Sequence, residues 1–233
     1  MSAVIQDNEL LAGNTRRYNL YSAVHKALRG FMMETVARAG RADVNDDCEF
    51  ATMLEQVRGL LQACRDHLRH ENEFVHPALE RAVKQSSQHT SDDHAEHVHA
   101  IDALALQVNH LAAVPATERF FLVQQLYMQL TTFVAENFVH MQVEETQNHQ
   151  VLIAAYTDAE LLQIKDAIVA SISPQENMLM MKWMLQYMNS TELAAMLSGI
   201  KQHAPPPVFQ AVVDLARETL SQRDFFKLER ALA

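Results

Sequence analysis

Residues 50–75 read FATMLEQVRGLLQACRDHLRHENEFV, and the fold prediction begins with this stretch. Apolar residues recur there at steps of three and four, on one stripe formed by Phe50, Leu54, Val57, Leu61, Cys64 and Val75. This period is that of an amphipathic α-helix. His67 and Glu71 continue the same stripe, so two polar side chains lie on the face that such a helix buries. The stretch therefore predicts a long helix that directs an imidazole and a carboxylate into a core.

The composition of the chain is that of a helical, water-soluble protein. Of 233 residues, 48% are hydrophobic, and only 5 Gly and 6 Pro interrupt them. No run approaches the roughly 18–20 apolar residues of a membrane span, and the N-terminus lacks the pattern of a signal peptide. Cys48 and Cys64 form no CxxC motif, which argues against a disulfide framework or a zinc site with thiolate ligands. We therefore expect a cytoplasmic protein without a membrane partner.

Charge and histidine content restrict the function further. The formal net charge of −10 argues against nucleic acid as a partner, since nucleic-acid binding needs clustered Lys and Arg. The chain contains 12 histidines, and many of them lie close together between residues 67 and 99. This density is unusual and indicates a site built from imidazoles.

Four long helices are predicted in the first two thirds of the chain. The first runs from about Thr15 to Arg38, and Gly40 follows as a stop signal. The second begins near Asp46 or Asp47 and ends in the 80s, and the third begins at about Ser91. The fourth follows the turn LAAVPATE of residues 111–118. Short connections between long helices imply antiparallel neighbours, which predicts an up-down-up-down four-helix bundle.

A second region is predicted after this bundle. Thr157 and Glu160 form a capping-box pattern, and Ser173 and Glu176 repeat it with Pro174 at the first helical position. We expect residues 1–156 to form the bundle and residues 157–233 a C-terminal extension of four short helices. The fold class is thus all-α, a four-helix bundle with additional C-terminal helices, without strands or internal repeats.

Each bundle helix carries polar residues on its apolar stripe. The set comprises His25, His67, Glu71, His94, His140 and Glu144. A bundle core excludes such residues unless a partner compensates them. Residues four apart lie on one helix face, so each HxxxE pair presents a nitrogen and an oxygen together. Four imidazoles and two carboxylates from four helices predict a shared pair of metal ions.

The donor types restrict the metal. A mixed nitrogen and oxygen set without thiolate favours iron or manganese over structural zinc. A carboxylate can bridge two ions roughly 3.5–4 Å apart, and six ligands leave two ions with open positions for a small molecule. On the third helix two assignments stay open. His94 heads the stripe of Val98 and Ile101 and is favoured, whereas His97 is the alternative ligand or a supporting group.

The ordered pattern H…HxxxE…H…HxxxE over residues 15–150 resembles the hemerythrin-like cation-binding domain family. The segment HLRHENEFVHP of residues 67–77 is similar to the family's H-x-x-x-E…P helix, and HMQVEE of residues 140–145 to its second HxxxE helix. The resemblance implies two iron ions with an oxo or hydroxo bridge inside a four-helix bundle. It also implies that Glu71 and Glu144 bridge the irons and that the four histidines are terminal ligands.

Two departures separate the chain from the oxygen-carrying members of that family. Those carriers have HxxxH on the third helix, whereas position 98 is Val98 here, and their last motif has a wider His-to-Asp spacing. Both features resemble the broader bacterial subgroup associated with sensing, stress and iron handling. The segment from Met178 to Leu197 resembles a C-terminal extension of some bacterial members, for which a homodimer contact, a protein partner or a cover over the bundle are alternatives.

Four functions fit this sequence. The favoured one is a diiron protein that binds, senses or reacts with a small oxidant, namely O2, NO or peroxide. Enzymatic reduction of such a ligand is a variant of it. Iron storage or supply, iron–sulfur repair, and a metal-stapled interaction module are the alternatives.

Other polar residues are predicted to be bystanders. Tyr18 and Tyr21 are expected in the core, where one of them can donate a hydrogen bond to a bound ligand. Glu145 is expected to be solvated. The remaining histidines are expected on solvated faces or loops, with His70 as a possible support for Glu71: His70, His76, His89, His99, His110, His149 and His203.

Overall fold

Four long helices dominate the structure, a computed structural model that describes residues 17–233. The first, α1, spans Ser22–Arg41, and the third, α3, spans Gln88–Ala113. Helix α2 consists of Asp47–His70, a π-helical turn at Glu71–Val75, and His76–Ala82. Helix α4 has the same construction, with Ala116–Val143, a π-helical turn at Glu144–Asn148, and His149–Ala155.

These helices form the predicted four-helix bundle. Each packs against the next along the chain, and α4 returns to α1 and closes the ring. The core between them is apolar, with fully buried side chains such as Leu28, Met53, Leu60 and Leu126. The part of the chain described by the structure contains no strand, so the all-α prediction is confirmed.

The helix ends differ in detail from the sequence predictions. Thr15 lies outside the described residues, and α1 begins only at Ser22. It continues through Gly40 to Arg41, because Gly40 serves close packing against Tyr127 rather than a helix stop. Helix α3 begins at Gln88, before Ser91. Its N-terminus is preceded by a turn whose N–H groups donate to the Glu80 carboxylate of α2, and no sequence signal at position 91 shows that contact.

Five short helices follow the bundle, where four were predicted. They are α5 Asp158–Ser171, α6 Pro174–Tyr187, α7 Ser190–His203, α8 Pro206–Thr219 and α9 Gln222–Leu232. The missed boundary lies at Leu220–Ser221, where the Ser221 hydroxyl caps α9 by accepting from Asp224 N–H. The capping box of Thr157 and Glu160 is confirmed.

The C-terminal helices have a small apolar core of their own and also pack on the bundle. Leu185, Leu197 and Ala216 are buried in that core. Helix α6 lies along α1, where the Trp183 indole stacks on Phe31 with ring centroids 4.1 Å apart. The division into units at residue 156 stays a prediction. Among residues 17–233, no helix is long and apolar enough to cross a membrane.

We expect Gly30→Ala to weaken the contact between α6 and α1. A methyl group at position 30 would overlap the aromatic ring of Tyr187, so α6 would have to move. Overpacking of this kind costs roughly 1–3 kcal/mol in the free energy of unfolding. Thermal denaturation followed by circular dichroism measures this loss.

Gly199→Ala is the matched control, since no atom lies within 4 Å of the added methyl group. Alanine within an exposed helix usually stabilises by about 0.5–1 kcal/mol relative to glycine. Equal stability changes for the two variants would contradict the packing of α6 on α1.

Candidate metal centre

The six residues singled out by the sequence converge in the middle of the bundle. Each of the four long helices contributes one histidine, and α2 and α4 each add a glutamate one turn later: His25, His67 with Glu71, His94, and His140 with Glu144. His67 is partly exposed, and the other five are buried, with His25 and Glu144 at 0% exposure. The structure therefore brings all six side chains together.

The four imidazoles form two pairs. His25 Nε2 lies 3.2 Å from His67 Nε2, and His94 Nε2 lies 3.1 Å from His140 Nε2. Two nitrogens bound to one ion at about 2.1 Å, at roughly 90–100° to each other, are separated by about 3.0–3.2 Å. Each pair is thus spaced as two neighbouring ligands of one metal ion.

Both carboxylates lie between the two histidine pairs. Glu71 Oε1 is 3.6 Å from His25 Nε2, and Glu71 Oε2 is 3.5 Å from His94 Nε2. Glu144 Oε2 is 3.5 Å from His25 Nε2, and Glu144 Oε1 is 3.8 Å from His94 Nε2. The ligand atoms of each pair together with both glutamates lie within 4.8 Å of one another. Two adjacent sites therefore share both carboxylates.

Hydrogen bonds on the outer side orient three of the imidazoles. His25 Nδ1 donates to Glu145 Oε1 at 2.9 Å, and Arg29 Nη1 donates to the same oxygen at 2.6 Å. Two further bonds of the same kind are His94 Nδ1 to Asn72 Oδ1 at 2.8 Å and His140 Nδ1 to Asp93 Oδ2 at 3.0 Å. A proton on Nδ1 leaves a lone pair on Nε2, which is the form that binds a metal.

The carboxylates at the centre of the cluster have no lysine or arginine partner among residues 17–233. Glu71 Oε2 and both oxygens of Glu144 are buried without a hydrogen-bond partner among the described residues. With lone pairs on the paired nitrogens as well, acceptors would face acceptors at about 3 Å, which is repulsive unless a cation lies between them. The donor set therefore fits metal ions. Cys64 is not part of either group of ligand atoms, and burial raises the pKa of its thiol to about 12.

The residues 17–152 match the Hemerythrin HHE cation binding domain, which is more than half of the chain. The chain belongs to this family. Cation binding, which the geometry indicates, is thus also the property by which the HHE family is defined. No curated protein matches the chain.

The electrostatics of this HHE domain show how strongly the site attracts positive charge. Burial opposes a proton on His25, but the carboxylates of Glu145, Glu71 and Glu144 outweigh it and raise its pKa to about 9. Burial likewise lowers the pKa of His94, but Glu144 and Glu71 outweigh it and raise this pKa to about 9. In the metal-free protein, the protons on His25 and His94 therefore supply part of the positive charge that metal ions would otherwise supply.

Two π-helical turns place further histidines around the HHE site. The sequence HxxxExxxxHxxL occurs in both α2 and α4, from His67 to Leu79 and from His140 to Leu152. Each π turn begins at the glutamate, and the extra residue in the turn brings the fifth residue after it back towards the core. His76 and His149 are consequently buried. Both histidines were predicted on solvated faces or loops, and this prediction was wrong.

Two other expectations for polar residues are corrected. His70 is buried because Glu176 of α6 covers it, with His70 Nε2 and Glu176 Oε1 3.4 Å apart. Glu145 is only partly exposed because it accepts from His25 and Arg29. The other four histidines are exposed as predicted: His89, His99, His110 and His203.

The two candidate ligands of the third helix, His94 and His97, occupy different positions in the HHE site. His94 Nε2 lies in the cluster, whereas His97 lies beside it with its ring edge-on to His140 at 4.9 Å. Both histidines are buried, and Val98 is only half-buried, contrary to the expectation that it takes the inward position. Tyr21 is in the core as expected, while Tyr18 is partly exposed.

Metal affinity should fall as the pH is lowered from about 9 to 7. His25 and His94 hold protons below about pH 9 in the metal-free protein, and a metal ion must displace both. Calorimetric titration with Fe²⁺ at about pH 7.5, in buffers of different protonation enthalpy, measures the release. Heats that are independent of the buffer would contradict these raised pKa values.

We expect His94→Ala to lose metal and His97→Ala to retain most of it. Of these two histidines, only His94 has a nitrogen within 4 Å of both carboxylates. Loss of a supporting partner costs roughly 10–100-fold in affinity, whereas loss of a ligand empties or remodels the site. Metal content of both variants after dialysis against a mild chelator decides between them. Metal loss confined to His97→Ala would show that His97 is the ligand.

Proposed function

We propose that the chain is a non-haem diiron protein that binds, senses or reacts with O2, NO or peroxide. The observation that carries the proposal is the sharing of Glu71 and Glu144 by two histidine pairs. In this assignment His25 and His67 hold one iron, His94 and His140 hold the other, and both carboxylates bridge.

Incomplete coordination supports reactivity rather than a purely structural role. Each iron receives two nitrogens and one oxygen from each bridging carboxylate, which is four protein ligands. Structural sites are closed by their protein ligands, whereas reactive sites keep a position for a small molecule. Iron commonly takes more than four ligands in mixed nitrogen and oxygen sites, so positions remain for an exogenous ligand.

The surroundings of the site support redox chemistry of a small ligand. Bound iron supplies electrons and Lewis acidity. The chain's own residues would hold the metals and exclude bulk water, since five of the six ligands are buried and the apolar core adjoins them, with Leu28 and Cys64 buried one turn from His25 and His67. Glu145 and Asp93 fix the proton on the outer nitrogen of His25 and His140. A ligand of a few atoms fits such an enclosed site better than a larger substrate. Cysteines without disulfides agree with a cytoplasmic location.

A metal-stapled interaction module is the second candidate, and the C-terminal helices favour it. Glu192 of α7 accepts from Lys26 at 2.6 Å, and Lys26 directly follows His25. Trp183 stacks on Phe31 of the same helix. In that function the metal orders α1 and thereby the helices that bind a protein partner or a second copy of the chain. Such a protein would keep its metal but would not respond to oxidants.

We expect about two irons per chain after expression in iron-replete medium, and less than that in Glu144→Ala. The reason is that Glu144 reaches both histidine pairs. Glu136→Ala is the matched control, because Glu136 is an exposed glutamate on the same helix. Plasma emission spectrometry measures the metal. Stoichiometric zinc in the wild type, or two irons in Glu144→Ala, would contradict the assignment.

Optical spectra then distinguish the two candidate functions. The iron-loaded protein is reduced without oxygen and mixed in turn with O2, NO and peroxide. A ligand-dependent diiron band supports the oxidant function, and its disappearance on deoxygenation separates reversible binding from turnover. Two bound irons with identical spectra before and after all three additions would support the interaction module instead.

A further inference from the structure

A layer of four buried residues lies one helical turn beyond the metal ligands, towards the end of the bundle. Tyr21 precedes His25 by four residues, and Thr90 precedes His94 by four. Val75 follows Glu71 by four, and Asn148 follows Glu144 by four. The layer thus takes one residue from each of α2, α3 and α4, and Tyr21 from the position directly before α1. All four are at most 3% exposed. We call this set the end layer.

Three members of the end layer are polar, and two of them satisfy each other. Asn148 Nδ2 donates to Thr90 Oγ1 at 3.2 Å. The Thr90 hydroxyl in turn donates to Ser87 O at 3.2 Å and lies 3.4 Å from His76 Nε2. Each of these two side chains therefore has at least one hydrogen-bond partner within the protein.

Tyr21 is the exception in this layer. Its hydroxyl is buried and finds no hydrogen-bond partner of good geometry in residues 17–233, although the Asn148 side chain lies beside it. Its ring lies against the His25 imidazole, with centroids 5.3 Å apart. Glu71 and Glu144 are both near enough to act on it electrostatically. An unpaired buried donor costs roughly 1–3 kcal/mol, so a partner absent from the protein itself is indicated.

We propose that the Tyr21 hydroxyl donates a hydrogen bond to an exogenous ligand held between the two metals, and that the end layer is the floor of its pocket. The inference rests on the proposed diiron function. It assigns the ligand to small anions and peroxides, which accept a strong hydrogen bond, rather than to weak acceptors such as NO.

His97 offers the competing position on the other side of the metals. Its Nδ1 is also buried without a partner within the described chain. However, its ring contacts His140 and Phe133, so it lies beside one histidine pair only. Tyr21, by contrast, feels the charge of both Glu71 and Glu144, the two carboxylates that would hold both metals. The geometry favours Tyr21 for a ligand that contacts the pair.

Azide binding to the iron-loaded, oxidised protein tests the proposal in Tyr21→Phe. Azide is a small anion that accepts hydrogen bonds, and loss of one such bond to a charged group weakens binding by roughly tenfold or more. We expect the dissociation constant for azide to rise by about that factor with iron content unchanged. The frequency of bound azide should shift in D2O in the wild type and not in the variant. NO affinity of the reduced protein should change little.

Tyr18→Phe is the matched control, since Tyr18 lies one turn earlier and is partly exposed. It should leave the azide constant unchanged. The metal-free Tyr21→Phe protein should melt at or above the wild-type temperature, because the substitution removes an unpaired hydroxyl.

Three results would overturn the inference: an unchanged azide constant in Tyr21→Phe, a loss confined to His97→Leu, or loss of iron from Tyr21→Phe. The last result would mean that the phenol holds the metal itself. These outcomes differ from failure of the proposed function, in which the wild type itself binds no iron pair.

Discussion

The burial of two carboxylates in the middle of an apolar bundle is the constraint on which the structure depends. Glu71 and Glu144 are almost inaccessible to solvent, and three of their oxygens have no donor within the described chain. Isolated buried charges of one sign are far too costly to persist. The surrounding imidazoles supply lone pairs rather than charge once their outer nitrogens donate to Glu145, Asn72 and Asp93. Cations between the two histidine pairs satisfy all of these groups together.

The same constraint accounts for the irregular backbone of α2 and α4. A π turn begins at each buried glutamate, in two segments that share HxxxExxxxHxxL. Widening a helix by one residue per turn weakens its hydrogen bonding, and such turns persist mainly at functional sites. Here the widening moves His76 and His149 into the core around the site. Helices α1 and α2 therefore supply one histidine pair and one carboxylate, and helices α3 and α4 supply the other pair and the other carboxylate.

The fold and the position of the site follow from sequence because both depend on helical periodicity. A stripe that continues from Leu61 through His67 to Glu71 fixes a buried face without knowledge of its neighbours. The residues that support the ligands cannot be predicted from helical periodicity, because their roles depend on contacts with other helices. Glu145 lies beside the stripe, and its role depends on α1, while His70 is buried only because α6 supplies Glu176. The π turns break the period itself, which is why His76 and His149 were assigned to the surface.

The C-terminal helices affect the centre through residues next to its ligands. Glu192 holds Lys26, which follows His25, and Glu176 contacts Arg69 and His70, which precede Glu71. Glu176 and Glu192 lie in the first turns of α6 and α7, so the helical backbone fixes their positions. Ligand side chains that neighbouring residues already hold in place lose less conformational entropy when they bind a metal. This raises the metal affinity without any new metal contact. Because these contacts reach only α1 and α2, they support the side of the site that carries His25 and His67. On the other side the support comes from within the bundle. Asn72 and Asp93 accept from His94 and His140, and the rings of His76 and His97 pack against the same two imidazoles.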